Sequence, residues 1–491
     1  MRGSHAMKQR KLLVLTTVTA ALIAAGCGSS KSATPATTAT TAVAAVTTTA
    51  AAAPAATTAA PAATTAAPVA AGDKQPAGSL LGASIKCDQQ FKGKEVHIFS
   101  PVRDSATDKA ATRLRDGFAP LEKCTGMKVV YDGTDQFETE IKVKIAGGNP
   151  PDVIDFPQPG GLNDLIVAGK VKPFPDDLAK AVTAENLDGW PQLSTVGGKV
   201  YGVPGRANVK SLIWYSPAMF KAKGYELPKT FEEVKTLSDK MAADGSGIAP
   251  WCLGIESGVA TGWVITDWFE QYMLALNGPE VYDQWVQHKI PFNDPKVKAV
   301  ADAVAAVVKN EKYIGSANAI KAIASTKFQE GGFPILEKKC YMHKQASFYS
   351  TIWAKGTKIG PDGDVNFGYF PSPAGGKKYM EGGGDLIAAG TDKPETFALL
   401  SYMNGSQYQT DIIATGNGDL STRKDFDTST IKDPVQKGFA DLLKGSDVFR
   451  FDGADMMPAA VGSGSFWKEA TAWILGGSTD DMLNNIEKSW K

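Results

Sequence analysis

The chain has 491 residues, with 52 Lys or Arg against 52 Asp or Glu and 43% hydrophobic residues. That length exceeds what one core supports, so two or more folding units are expected. Zero net charge and 21% charged residues leave no basic footprint for nucleic acid. The sequence has no Gly-x-Ser-x-Gly elbow, no Gly-x4-Gly-Lys phosphate loop and no Gly-x-Gly-x-x-Gly turn. His97, His288 and His343 are scattered and no Cys-x-x-Cys pair occurs, so neither a metal site nor a cofactor is expected.

Residues 1–26 read as an expression leader followed, from Met7, by a signal peptide. Lys8-Gln9-Arg10-Lys11 is a basic n-region, and Leu12 to Ile23 is an apolar run too short to span a bilayer. Ala24-Ala25-Gly26-Cys27 resembles a bacterial lipobox, which implies cleavage before Cys27 and lipidation of that cysteine. Four basic residues lie in the acid-free start, so residues 27–491 carry 48 basic against 52 acidic groups. Residues 27–82 are almost wholly Ala, Thr, Pro and Ser, a composition that cannot bury enough apolar surface to order itself. They are expected to form a disordered tether, reaching about 40 Å on average.

The folded part is expected to begin with a buried strand at Glu95–Phe99, then a helix over 106–121 with Ala110, Leu114, Phe118 and Leu121 on one face. A strand at Met127–Tyr131, a helix at Phe137–Ala146, a strand at Val153–Phe156 and a helix over 161–168 follow. This βαβαβ alternation predicts a sheet with parallel strands, with a ligand beyond their carboxyl ends near Phe156 and Gln158. From Lys199 to Phe220 the pattern predicts a strand, a break at Pro204-Gly205, an open segment to Asn208, and a second strand over 209–215. That reads as a hinge between two lobes. Thr230 and Glu233 form a capping box before a helix. An aromatic-rich helix over 262–276 and a proline-started helix from Pro295 come next. A strand is expected at 333–337, another over 367–373, a glycine-rich segment at 375–384, and a strand at 386–389. Residues 419–424 read as a further crossover, and terminal helices fall at 394–403, 435–443 and 466–486.

Four stretches carry a family resemblance. They are Pro151-Asp152-Val153-Ile154, Gly202-Val203-Pro204 through Trp214-Tyr215-Ser216-Pro217, Gly224 through Glu233, and Gly382-Gly383-Gly384-Asp385-Leu386 before Lys393-Pro394-Glu395. In this order and spacing the chain resembles extracellular solute-binding lipoproteins of bacterial ABC importers, in the maltose-binding-like family 1. Asn208 to Tyr215 resembles the α-glucoside-binding branch. The resemblance implies an α/β, two-lobed periplasmic-binding-protein fold of type II, with the ligand in the interlobe cleft. Lobe 1 would be 83–205 with 376–418, and lobe 2 would be 208–372 with 422–491. Crossovers are expected near 204–210, 371–377 and 417–424. The implied protein is an exported monomer, lipid-anchored to the outer face of the cytoplasmic membrane. It would capture a sugar or oligosaccharide and pass it to a membrane permease. Cys87, Cys124, Cys252 and Cys340 allow three pairings. Cys87–Cys124 with Cys252–Cys340 keeps each pair inside one proposed lobe.

Sugars need aromatic faces and planar polar groups. Position and resemblance together single out Phe156, Gln158, Asn208, Lys210, Glu256, Trp263, Asp267, Gly383 and Asp385 as ligand contacts. Trp263 and Asp267, four apart, share one helix face. His343, Phe348, Arg423 and Asp452 are secondary candidates, while Trp268 and Trp467 read as core. Two other readings stand beside this one. One is an aromatic box for a quaternary ammonium or other small solute, and the other is a secreted glycoside hydrolase using two carboxylates.

Overall fold

The structure is a computed structural model that describes residues 87–105, 109–414, 416 and 418–490. The leader, Cys27 and the tether lie outside the described residues. In chain order, the strands of the two large sheets are β1 (Glu95–Ser100), β2 (Lys128–Gly133), β3 (Val153–Phe156), β4 (Gly202–Val209), β5 (Leu212–Tyr215), β6 (Ala249–Trp251), β7 (Cys340–Lys344), β8 (Asn366–Tyr369), β9 (Tyr379–Ala389) and β10 (Val448–Phe451). The helices used below are α1 (Ala110–Asp116), α2 (Ala119–Thr125), α3 (Phe137–Ala146), α4 (Pro159–Val167), α5 (Phe231–Ala242), α6 (Trp263–Val286) and α7 (Gly453–Met456).

The first sheet runs β10-β9-β3-β1-β2, with β4 on the other edge of β9. β1 is parallel to both β2 and β3, as the βαβαβ pattern requires, while β9 runs antiparallel to β3. All four residues of β3 are buried, the mark of a strand covered on both faces. One face packs Val96, Ile98, Val153 and Ile387 against Leu114, Phe118 and Leu121. The other packs Phe99, Ile154 and Phe156 against Phe137 and Leu162. The second sheet runs β8-β5-β7-β6. It is sandwiched between a core around Trp251, Trp268 and Trp285 and another around Trp214, Trp353 and Phe439.

Local chemistry accounts for the points where structure and pattern part. The expected 106–121 helix is two helices, α1 and α2. Gly117 ends the first, and Pro120 sits in the opening turn of the second. Leu114, Phe118 and Leu121 are buried as the periodicity predicts. The expected strand at 333–337 is instead a 3-10 turn, Phe333–Ile335, because Pro334 has no N–H for a ladder. Thr230 caps α5 by accepting from the Glu233 N–H, but the Glu233 carboxylate accepts from the Lys229 N–H at 2.8 Å, one residue earlier than a standard box.

The hinge stretch is corrected most. No open segment separates Pro204 from Asn208. β4 is continuous and pairs antiparallel with β9 from Gly202 to Val209. Pro204 faces Leu386 and Arg206 faces Asp385, which leaves Gly205 as the extra residue of a bulge. The bulge absorbs the proline, and the ladder continues. The turn falls later: Lys210 N–H donates to Glu381 O at 2.8 Å, and Ser211 Oγ accepts from Glu381 N–H at 2.9 Å.

β9 itself extends through the glycine run that reads as a loop. Gly382 and Gly384 are strand residues because other groups press on them. A Cβ on Gly382 would sit 2.4 Å from Asn208 O, and one on Gly384 2.0 Å from Arg206 O. A Cβ on Gly383 meets nothing closer than 3.3 Å. Gly384→Ala is therefore expected to cost about 1–3 kcal/mol and Gly383→Ala much less, measured by thermal melting. The first residues of β9 pair with β10, whose Phe451 packs in the Trp214 core, and Leu386–Ala389 pair with β3. Leu420 bridges Ala207 in both directions, at 2.7 and 2.8 Å. These three passages tie the cores of the two sheets into one unit.

The disulfides are Cys87–Cys124 and Cys252–Cys340, closing separations of 37 and 88 residues. Replacing either pair by serine is expected to lower stability by about 4 kcal/mol, slightly more for the longer loop, as read from urea midpoints.

Candidate functional site

A cavity of about 730 Å³ lies between the halves that carry the two sheets. One wall is made by the segments leaving β1, β2 and β3: Arg103, Thr134, Glu138 and Gln158 line it. That is the carboxyl end of the parallel strands, where such sheets bind ligands. The opposite wall carries Glu256, Trp263, Phe328, Phe333 and Phe348. The floor is built by the passages between the halves, with Arg206, Asn208, Lys210, Gly383, Asp385, Asp419, Asp452 and Asp455. The walls touch. A Cβ on Gly258 would lie 2.9 Å from Asp135 O across the rim, and one on Gly160 1.8 Å from Met457 O. The cleft is closed.

Trp263 opens α6. Its preceding residue, Gly262, has φ +118° and lies so near Trp467 O that a Cβ would sit at 2.2 Å, so only glycine fits this entry to the helix. The indole packs edge-on against Phe328 at 5.1 Å and near Phe348 at 6.2 Å. Lys210 Nζ is 5.3 Å from its ring centroid.

Two buried cations organise the floor. Arg206 is held by Asp385, by Asp419 Oδ2 at 3.4 Å and by Asp155 Oδ2 at 3.6 Å. Lys210 donates to Asp267 Oδ1 at 2.9 Å and to Asp452. Behind it Lys344 reaches Glu381 Oε2 at 3.3 Å, and Glu270 Oε1 accepts from the Ala454 N–H at 2.8 Å. Burial acts on all these carboxyls. It pushes Asp267 up to about 6 against the pull of Lys210, and Glu381 up to about 8 against Lys344. It lifts Glu270 well above the usual carboxylate range, helped by Asp452. At Asp452 burial is more than offset by Lys210, leaving that carboxyl below its ordinary value. Lys210 is held protonated, its burial outweighed by Asp267 and Asp452. Asp267, Glu270, Glu381 and Asp452 bring oxygens within 4.8 Å of one another. The Lys210 ammonium sits on two of these carboxylates and supplies the charge that a metal ion would bring.

Of the nine residues singled out from sequence, Gln158, Asn208, Lys210, Glu256, Trp263, Gly383 and Asp385 come together around the cleft. Phe156 does not. β3 runs to its end inside the sheet, so the Phe156 ring is buried edge-on against Phe137 at 5.5 Å. Asp267 is buried behind the floor, where it meets the cleft only through Lys210. Phe348 and Asp452 line the cleft, as does Trp467, which reads as core in the sequence. His343 is enclosed, its Nδ1 2.9 Å from Cys252 O, and burial pulls it down to about 4. Arg423 is held by Asp425, Glu185 and Asn404 O. Arg206, Glu138, Asp419 and Asp455 escaped the sequence reading. Arg206 and Asp419 fall within the crossovers expected near 204–210 and 417–424, whereas no local pattern marks Glu138 or Asp455.

The chain matches the model of bacterial extracellular solute-binding proteins over residues 100–410. It is 38% identical over 386 residues to the osmoprotective compounds-binding protein GgtB of Synechocystis sp., covering 77% of this chain and 89% of that one. It is 34% identical over 421 residues to the alpha-glucosides-binding periplasmic protein AglE of Rhizobium meliloti, covering 83% and 89%. Among solved structures it superposes on a chitin oligosaccharide binding protein with TM-score 0.67 at 19% identity, over 80% of this chain and 97% of that chain. Maltose-bound MalE3 of T. maritima gives TM-score 0.61 at 17% identity, over 81% and 98%. These neighbours share the two-lobed, maltose-binding-like α/β fold. Among the described residues no helix is long and apolar enough to cross a membrane. A closed cleft at the strand ends, in this fold, together with a family match over most of the chain, places this exported chain in the bacterial extracellular solute-binding protein family.

Proposed function

We propose that the cleft captures an uncharged sugar, an α-glucoside or a polyhydroxyl osmoprotectant of similar size, and presents it to the permease of an ABC importer. The observation that carries this reading is the division of the cleft: Trp263, Phe328 and Phe348 on one wall, and Gln158, Glu138 and the floor carboxylates opposite. A pyranose presents C–H groups on its ring faces and hydroxyls around its rim, which suits an aromatic wall beside polar groups. The volume of about 730 Å³ lies within the range of small-molecule sites. The names of the relatives point to the same two ligand classes, α-glucosides and osmoprotective compounds.

A quaternary ammonium ligand is disfavoured by one contact. Lys210 already places a cation 5.3 Å from the Trp263 ring, and a second cation there would be repelled. A glycosidase reading is disfavoured because the relatives that match most of the chain are named as binding proteins. The chain is thus a binding protein without enzymatic turnover. Lobe 1 comprises 83–205 with 376–418 and lobe 2 comprises 208–372 with 422–491. The protein acts as a monomer, held at the outer face of the cytoplasmic membrane by lipid on Cys27. Calorimetry with trehalose, maltose, sucrose and maltodextrins, against choline and glycine betaine, tests the ligand class. Binding of a sugar is expected; tight binding of choline or betaine with none of any sugar overturns the reading.

A further inference from the structure

The cleft is shut at its rim where glycines let backbone meet backbone. The start of α4 meets the residues that follow α7. These segments belong to different cores. Leu162 and Ile166 of α4 pack with Phe99 and Phe156 on the first sheet. Ala454, Met457 and Val461 pack in the core of Trp268 and Trp285, beside the second sheet. Between the two cores lie Gly160, Gly161 and Asp164. A Cβ on Gly160 would sit 1.8 Å from Met457 O and 2.9 Å from Met456 O, closer than carbon and oxygen can approach. Asp164 Oδ2 accepts the Ala459 N–H at 2.9 Å. Pro157, Gln158 and Asp455 line the cavity beside this contact. Elsewhere on the rim Gly258, with φ +60°, would place a Cβ 2.9 Å from Asp135 O.

The α4 contact differs from core packing in kind. Gly160 brings no side chain to it, and the Asp164 hydrogen bond lies at the surface. Buried apolar area is what makes packing permanent, and a surface hydrogen bond exchanges readily with water. The contact can therefore break without disturbing Leu162 on one side or Met457 on the other. Its demand for glycine is also not local. Gly160 lies within α4 and has no positive φ, and alanine is the better helix former there. What requires glycine is the carbonyl of the opposite half. A methyl group at this position costs only when the two halves meet.

We propose that Gly160 and Asp164, seated on Met456–Ala459, form the latch that holds the cleft closed, and that they set ligand affinity without touching the ligand. The inference rests on the reading that the protein captures its ligand by closing the cleft. Gly160, Asp164, Met456, Met457 and Ala459 all stand outside the cavity lining. Their effect passes through the equilibrium between open and closed forms. Apparent affinity scales with the fraction of protein able to close, so a group that penalises only the closed form weakens every ligand by the same factor. The ligand contacts around Trp263 are left as they are.

Calorimetry with trehalose, maltose and sucrose on Gly160→Ala should give affinities about tenfold or more below wild type. The melting temperature of the ligand-free variant should be unchanged or raised, because alanine suits α4. Gly161→Ala is the control: its Cβ would make ordinary contact with Ala459 Cβ at 3.8 Å, and it should bind like wild type. Wild-type affinity in Gly160→Ala, or a lowered melting temperature without ligand, overturns the latch. The same 3.8 Å suits a disulfide, which gives a readout needing no ligand. Gly161→Cys with Ala459→Cys, oxidised by copper phenanthroline, should form an intramolecular bond across the closed rim. Adding Gly160→Ala should slow that reaction several-fold. If no sugar binds, the sugar reading has failed and the latch is judged on this cross-link. No cross-link, or a rate indifferent to Gly160→Ala, overturns it.

Discussion

Replacing Lys210 by methionine is expected to lower stability by about 3–5 kcal/mol, the range for removing one partner of a buried ion pair. The ammonium is buried between Asp267 and Asp452. Without it, the Asp267 and Asp452 carboxylates are left buried beside Glu270 and Glu381, their oxygens within 4.8 Å of one another. The protein must then take up protons or open the cluster to water. The double variant Lys210→Met with Asp452→Asn removes one of the stranded charges and should recover part of the loss. Urea midpoints at pH 7 decide it. A single-variant loss below about 1 kcal/mol would place the ion pair among weak surface-like contacts and contradict this account of the floor.

The second large effect is on ligand affinity. Trp263→Ala should weaken sugar binding by about 100-fold or more, the loss of about 3 kcal/mol expected for an aromatic anchor at the centre of a site. Trp263→Phe keeps a ring against Phe328 and should retain most of the affinity. Because Trp263 also packs on Phe328 and lies beside Lys210, a modest drop in melting temperature should accompany the alanine change. Calorimetry on both variants separates the two effects. Equal affinity in wild type and Trp263→Ala would remove the aromatic wall from the site.

How far the sequence reaches is clear from particular residues. Val153-Ile154-Asp155-Phe156 reads as a buried strand because three of four residues are apolar and turn residues bound it, and Gln158 beyond it lands in the cleft. The glycine run at 382–384 is opaque, since glycine disfavours strands unless something crowds it. What crowds it, Phe449, Asn208 O and Arg206 O, is distant in sequence. The floor charges are hidden for the same reason. Lys210 meets Asp267 and Asp452 across 57 and 242 residues, and local spacing carries no trace of such pairs. Phe156 misleads because an aromatic at a strand end looks the same whether it faces a cleft or a second layer of core. The Pro204-Gly205 break reads as an opening because a bulge and a chain exit share one local signature.

The most direct test of the account is a crystal structure of the protein with the glucoside that calorimetry shows to bind tightest. A pyranose ring stacked on Trp263, with hydroxyls within hydrogen-bond distance of Asp385 or Asp455, is the predicted result. A sugar bound outside the cleft, or within it but away from both Trp263 and the floor carboxylates, would contradict it.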